Sequence, residues 1–303
     1  MKLKGQNRVF GHVAALITVF VWGFAFVITV ILLQNFSPVE ILFYRFTLAT
    51  LALYAAYPRK MKRNTLRQEL LFALAGLFGI TAYFLLQDTA LLRTAASNAS
   101  VIAASSPVLT GFLLWLFVTK KRPSGSFFLG ALFALMGIGL ISFAGTQLEL
   151  HPLGDFLVFI SAIAWAIYSL LLKKISELGH HPIQVTRRIF TYGLLFLIPF
   201  MITTDFQFGF QRLIEPEILL PLLYLGLLSS ATCFGLWNFS VGRLGPVRTS
   251  VYLYLIPIIT VVASVLILDQ AITWLKVCGI GLVLIGLVLS NRGKRVKEQT
   301  NEI

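Results

Sequence analysis

Acidic residues are scarce in this chain of 303 residues: 12 Asp and Glu stand against 25 Lys and Arg, and the four charged types together make up only 12%. A soluble globular chain carries about 25% charge to cover its surface. With 57% hydrophobic residues and a mean hydropathy of +0.85, the composition excludes a soluble domain and demands an integral membrane protein. Cysteine is nearly absent, and Cys233 and Cys278 both lie in apolar runs, where a thiol serves as a small hydrophobe and not as part of a disulfide framework or metal site. None of the four histidines, His12, His151, His180 and His181, falls at the middle of an apolar run, which removes support for a histidine proton relay at the membrane midplane. HExxH, GxSxG, a Walker loop and clustered carboxylates are all missing. The chain therefore reads as no enzyme, with no catalytic residue, cofactor or metal. The net charge of +13 is carried in short clusters between apolar runs, a pattern of membrane topology and not of a nucleic-acid-binding face.

What the chain does have is a series of apolar runs. Ten stand out, near 11–33, 38–57, 70–91, 96–118, 126–145, 154–173, 183–203, 218–240, 246–267 and 272–290. Runs of about 20 residues cross a ~30 Å hydrocarbon layer as helices, whereas barrel strands would be about 10 long with alternating polarity. The expected fold is an all-α polytopic membrane protein with ten transmembrane helices. The first run is followed by nine more, so it reads as a span and not as a cleaved leader. Lys and Arg divide unevenly between alternate connections: 19 fall in one set and only Arg93, Arg212 and Lys276 in the other, with Arg45, Arg187 and Arg188 inside or at the start of spans. Basic residues are retained on the cytoplasmic side, so both termini are expected in the cytoplasm and the protein in the cell (cytoplasmic) membrane.

The runs repeat. Residues 93–119, RTAASNASVIAASSPVLTGFLLWLFVT, have a second copy in residues 243–267, RLGPVRTSVYLYLIPIITVVASVLI. At a shift of 150, Arg93 falls on Arg243, Ser100 on Ser250, Pro107 on Pro257 and Thr110 on Thr260. Gly11–Pro38 likewise resembles Gly154–Pro182, with Trp22 on Trp165. Five spans per copy is an odd number, so two sequential copies sit in opposite orientations. The expectation is two inverted five-helix repeats, residues 1–145 and 146–303, the second ending in a basic cytoplasmic tail. That is the architecture of an alternating-access carrier, and a non-transporting receptor or scaffold would not explain it. Pro107 and Pro257, near the centres of spans four and nine, each free a backbone carbonyl that protein or cavity water has to satisfy. Paired in this way they point to helix hinges beside a transport or binding region.

Ten spans in a duplicated five-span unit, the FVWGFAFV and IAWAIYSL segments around Trp22 and Trp165, and the SP and IP motifs at Pro107 and Pro257 resemble the EamA-type transporters of the drug/metabolite transporter (DMT) superfamily. The resemblance covers nearly the whole chain. It implies a secondary carrier, often an exporter of amino acids, other metabolites or drugs, whose central cavity is formed mostly by spans one, three, four, six, eight and nine. At the end of span four TKKRPS (119–124) stands where that family has a Gly-Glu-Arg/Pro type of turn, while Asp269 keeps an acid near the equivalent turn of the second half. The expected function is secondary transport, in the export direction, of a small organic metabolite such as an amino acid; multidrug or amphipathic-compound efflux is the alternative. Sparse charge within the spans favours a neutral, zwitterionic or amphipathic molecule over a phosphate ester, which would want several inward Lys or Arg. The expected partners are a small-molecule substrate and the lipid bilayer, with proton or other ion coupling and a homodimer both open, and no nucleic acid.

Particular residues carry these expectations. Trp22 and Trp165 sit at mid-span and not at the interfaces where membrane tryptophans collect. Each indole N–H then needs a partner, either a carbonyl in a packed core or a group in a central cavity. Tyr83 and Gln87 share one face of span three, and Cys233 and Trp237 the matching face of span eight. Ser161, Trp165 and Ser169 form a row in span six with Tyr168 alongside, and spans four and nine add Asn98, Ser100, Ser105, Thr249, Ser250 and Tyr252. Substrate contact is expected from Trp22, Tyr83, Gln87, Ser100, Trp165, Tyr168, Trp237 and Tyr252, with helix packing as the plainer role of the hydroxyls. Arg45 lies about 10 Å inside the outer face, by seven residues of helical rise from Pro38. Asp88 is its nearest partner by depth, Glu40 a competitor, and snorkelling to the interface the plain alternative. Arg187 and Arg188 occupy the mirrored depth in span seven, where Asn238 stands in the place of Asp88. Arg45, Asp88, Arg188 and Asn238 form the expected gating or coupling set.

The charge partition makes the orientation testable. In a background without Cys233 and Cys278, a single cysteine placed between Arg59 and Arg67 should react with a membrane-impermeant thiol reagent only from the cytoplasmic side. Labelling from the outside would reverse the topology.

Overall fold

The computed structural model describes residues 2–120, 124–143, 152–204, 206–207, 212–268 and 273–292. Among them every regular element is helical. In chain order these are α1 (Lys2–Leu33), α2 (Pro38–Ala56), α3 (Leu66–Leu91), α4 (residues 96–119), α5 (Gly125–Phe143), α6 (Pro152–Ser176), α7 (Pro182–Thr203), α8 (Pro216–Leu244), α9 (residues 246–268) and α10 (Trp274–Arg292). Eight of them contain stretches long and apolar enough to cross a membrane, and those in α5 and α10 are shorter, Gly125–Gly137 and Val277–Ser290. The chain is a multi-pass, all-helical membrane protein. Asp269, His151, Lys121, Arg122 and the basic tail with Lys294, Arg295 and Lys297 lie outside the described residues, as do the side chains of Lys2, Lys4, Asn98, Lys276 and Arg292.

Helix starts follow local chemistry. Ser37 with Glu40 forms a capping box at α2, and Thr65 with Gln68 forms one at α3. Pro38, Pro182, Pro216 and Pro246 occupy first-turn positions, where the missing N–H would have had no helical acceptor. Both helices with a central proline are interrupted beside it. In α4, Ala96–Ala103 and Ser106–Leu114 are separate helical pieces. Pro107 cannot donate to the Ala103 carbonyl, and the Ser106 hydroxyl donates to it instead at 2.5 Å. In α9 a 3₁₀ stretch, Val251–Leu255, precedes Pro257, and the Ile256 N–H donates to the Leu253 carbonyl that the proline leaves open. Two other helices widen into π turns, α3 at Leu77–Ala82 and α8 at Tyr224–Thr232.

The core forms where the two parts of the chain meet. α1 packs along α8 and α9, α6 along α3 and α4, and α2 against α7 and α8. Phe46, Phe190, Phe234, Tyr168 and Trp237 are fully buried there. Cys233 is a free buried thiol in this core, while Cys278 is free and exposed on α10. α5 and α10 pack closely on each other away from that core. Small residues permit this approach: a Cβ on Gly130 would lie 2.4 Å from the Ser290 nitrogen, and one on Gly286 would lie 2.5 Å from the Ala134 nitrogen.

Those contacts are backbone to backbone and cannot relax cheaply. Gly286→Leu should therefore destabilise the purified protein by about 1–3 kcal/mol, the usual cost of overpacking, read as a lowered thermal midpoint. Gly281→Ala, whose added Cβ meets open space, should leave the midpoint unchanged or raise it.

Candidate functional site

A cavity of ≈ 40 Å³ lies at the centre of the bundle, bounded by α1, α2, α3, α4, α6 and α9. It has room for about three waters at most. Five of the eight residues expected at a substrate site line it: Trp22, Tyr83, Gln87, Ser100 and Trp165. Relative to the expected set of spans, α2 contributes Arg45 to the lining where α8 contributes nothing. The rings of Trp22 and Trp165 meet edge to face at 5.3 Å, and Tyr83 lies 4.8 Å from Trp165. The Trp22 indole N–H donates to the Ser229 carbonyl at 2.9 Å.

The other three expected substrate contacts do not line this cavity. Trp237 packs behind Trp22 with centroids 5.1 Å apart and is fully buried. Tyr168 is turned away because its hydroxyl donates to Asn238 Oδ1 at 2.9 Å, while Asn238 Nδ2 donates to Thr186 at 2.8 Å. Tyr252 lies beside the first turns of α1, its hydroxyl 2.7 Å from His12 Nδ1. In the same region the Ser240 hydroxyl donates to the Gly11 carbonyl, and α1 and α8 close on each other.

The expected pair of Arg45 with Asp88 is not formed. Arg45 is 2% exposed, which also excludes snorkelling, and it donates from Nε to Ser230 Oγ at 2.6 Å and from Nη2 to Ser229 Oγ at 3.2 Å. Its guanidinium stands 4.3 Å from the centre of the Phe84 ring, so two hydroxyls and an aromatic face hold the cation. Glu40 does not compete for it: that carboxylate caps α2 and accepts from the Gln207 N–H at 3.1 Å. Asp88, one helical turn beyond Phe84, is fully buried, and neither of its oxygens has a hydrogen-bond partner among the described residues. The same holds for Gln87 Oε1 and for the Trp165 and Trp237 indole nitrogens. Buried groups left unpaired cost about 1–3 kcal/mol each. Of these, Gln87 and Trp165 line the central cavity, where a polar ligand can satisfy them.

Arg187 and Arg188, near the start of α7, have partners that the sequence alone did not indicate. Arg188 forms an ion pair with Glu69 at 2.9 Å, and Glu69 also accepts from the Tyr192 hydroxyl at 2.6 Å and from Asn64 at 2.9 Å. Arg187 donates to the carbonyls of Tyr57 and Arg59. His180, in the connection before α7, has its Nε2 2.8 Å from Asn64 Oδ1; burial and the nearby Lys62 hold its imidazole below the usual histidine range. A larger cleft of ≈ 920 Å³ opens between α2, α7 and α8, lined in part by Asn238 and His180, and shares no lining residue with the central cavity. Glu69 had a signal, since it is the only acid between Glu40 and Asp88. Ser229 and Ser230 had a weaker one, two adjacent hydroxyls inside an apolar run.

The EamA-like transporter family matches the chain twice, over residues 9–143 and over residues 152–292. An uncharacterized transporter of Archaeoglobus fulgidus is 27% identical, with 92% of this chain and 96% of that protein covered. A probable terminal-alkyne amino-acid exporter of Streptantibioticus cattleyicolor is 26% identical over 95% of this chain and 96% of its own length. A probable amino-acid metabolite efflux pump of Escherichia coli is also 26% identical, over 93% and 95% respectively. A solved crystal structure superposes with a TM-score of 0.72 over 94% of this chain and 97% of its own, at 17% identity, and so shares the fold. Two consecutive family matches that leave few residues uncovered, on a helical bundle with a buried polar centre, lead to one conclusion: the chain belongs to the EamA-like transporter family and is a membrane transporter of small molecules, not an enzyme.

Proposed function

We propose that the protein exports a small zwitterionic metabolite of the amino-acid type across the cytoplasmic membrane by alternating access. The observation that carries this reading is the central cavity's charge. Arg45 reaches it, and Asp88, outside the lining itself, is buried one turn beyond its Phe84 wall with no hydrogen-bond partner among the described residues. A ligand bearing both a carboxylate and an ammonium satisfies each: the carboxylate meets Arg45, and the ammonium meets Asp88 and Gln87 Oε1. The ring faces of Trp22 and Trp165 supply the apolar wall for the rest of the molecule. Two of the relatives, named as a probable terminal-alkyne amino-acid exporter and a probable amino-acid metabolite efflux pump, agree with this class.

The mechanism follows from the proposed architecture of ten spans in two inverted five-helix repeats, residues 1–145 and 146–303, with both termini cytoplasmic. Two observations support it. The family matches each half separately, and the π turn at Leu77–Ala82, moved by 150, falls within that at Tyr224–Thr232. The interruptions at Pro107 and Pro257 are the hinges, and the Glu69–Arg188 pair closes the cytoplasmic side. Asp88, once the ammonium leaves, accepts a proton, which couples export to proton entry.

Ligand analogues test the two ends separately. Binding of a transported amino acid should weaken by about 1.5–3 kcal/mol when its amine is acetylated or its carboxylate is esterified, the range for hydrogen bonds to charged groups. Asp88→Asn should weaken the parent amino acid similarly, leave the acetylated analogue unchanged and abolish the pH dependence of transport in proteoliposomes. Equal binding of parent and analogues would favour efflux of amphipathic compounds on the aromatic walls alone. Trp22→Ala and Trp165→Ala should each weaken binding by about 1–3 kcal/mol, whereas Trp237→Ala should lower thermal stability first. Alanine variants at Trp22 and Trp165 with full transport affinity would return those rings to a packing role.

A further inference from the structure

A second polar pocket lies at the end of the bundle that carries most of the basic residues. It measures ≈ 410 Å³ and is bounded by the connection between α2 and α3 and by the first turns of α7. Lys60, Lys62, Arg63, Arg187 and Arg188 line it, against a single acid, Glu69. The acid is already committed: its oxygens take Arg188, the Tyr192 hydroxyl and Asn64. Four cations therefore remain with no carboxylate at ion-pair distance among the described residues. Arg187 is the informative one. It is only 5% exposed, its guanidinium lies 4.6 Å from the centre of the Tyr54 ring, and its hydrogen bonds go to neutral backbone carbonyls. A buried cation is ordinarily matched by an anion. The three other cations are exposed around it, in an arrangement suited to a group with several acceptor oxygens.

The surface beside the pocket says what else such a ligand carries. Tyr54 on α2 lines the pocket and is itself exposed, and Leu51 on the same helix and Leu66 and Leu70 in the first turns of α3 are exposed too, Leu66 at 88%. Apolar surface is therefore available on both helices joined by the connection that bounds the basic hollow. We infer that this pocket binds the phosphate of an anionic phospholipid, with its acyl chains lying along that surface. The lipid then clamps the connection between α2 and α3 onto α7, beside the Glu69–Arg188 pair. This inference needs only a membrane-embedded chain and stands whether or not the transported molecule is a zwitterion.

The test uses the full-length protein purified in neutral detergent, with its thermal midpoint read while dioleoyl phosphatidylglycerol, dioleoyl phosphatidylcholine or inorganic phosphate is titrated. Phosphatidylglycerol should raise the midpoint saturably and phosphatidylcholine should not. Replacing both Lys60 and Lys62 by Gln should shift half-saturation to about 10- to 30-fold higher lipid. Removing the same charge with Lys173→Gln and Lys174→Gln, at the end of α6 and outside the pocket, should leave it where it was. All four side chains are at least partly exposed, so both double variants should fold. Equal losses in the two double variants would mean diffuse attraction to a basic face and would overturn the site, as would no loss in either. An equal shift from inorganic phosphate would overturn the lipid as occupant and assign the pocket to a soluble phosphate compound.

Discussion

A peptide group in hydrocarbon has no water to turn to, and most of this structure can be traced to that constraint. It forces the chain into helices, and it sets the terms on which a helix is allowed to break. The break in α4 is accepted because the Ser106 hydroxyl takes over the Ala103 carbonyl that Pro107 leaves. The 3₁₀ stretch in α9 is accepted because a backbone N–H one residue before Pro257 reaches the orphaned Leu253 carbonyl. Similar replacements tie separate helices together: Thr260 donates to the Gly23 carbonyl, Thr81 to Gly193 and the Tyr224 hydroxyl to Val21. Hydroxyls in this bundle are mostly backbone partners, which is why so few of them are available to the central cavity.

Aromatic packing then supplies what hydrogen bonds do not. Trp22 touches Trp165, Trp237 and Phe234, and Phe234 also meets Phe46, Phe84 and Phe190. One contiguous set of rings thus joins α1, α2, α3, α6, α7 and α8. Arg45 is embedded in its margin, against Phe46 and Phe84. This combination lets a charged group sit deep in the membrane without an acid bonded to it, and leaves its charge available to a ligand.

The sequence made the helical spans, the interrupted helices and the mid-membrane tryptophans legible, because each follows from local properties: run length, a proline with no N–H, an indole far from an interface. The lining role of Tyr83 and Gln87 was legible for the same reason, since a spacing of four fixes a shared face. Partner choice was not. The depth of Arg45 suggested Asp88, but depth says nothing about rotation around the bundle axis, and the π turn of α8 brings Ser229 and Ser230 to the guanidinium first. Tyr168 follows Trp165 within one turn of α6, yet points to Asn238 and away from the cavity. Glu69 stands beside a strongly basic connection, a setting that makes a lone acid a strong attractor for Arg188. Longitudinal position is written in a sequence of spans, whereas azimuth depends on how the helices pack.

The small volume of the central cavity has a consequence for the membrane as a whole. With room for about three waters, walled by tryptophan, phenylalanine and tyrosine and separate from the larger cleft, it breaks any continuous file of water along which protons could hop. A carrier in this form holds no through-going water path among its described residues, so a small molecule can pass only if these rings rearrange.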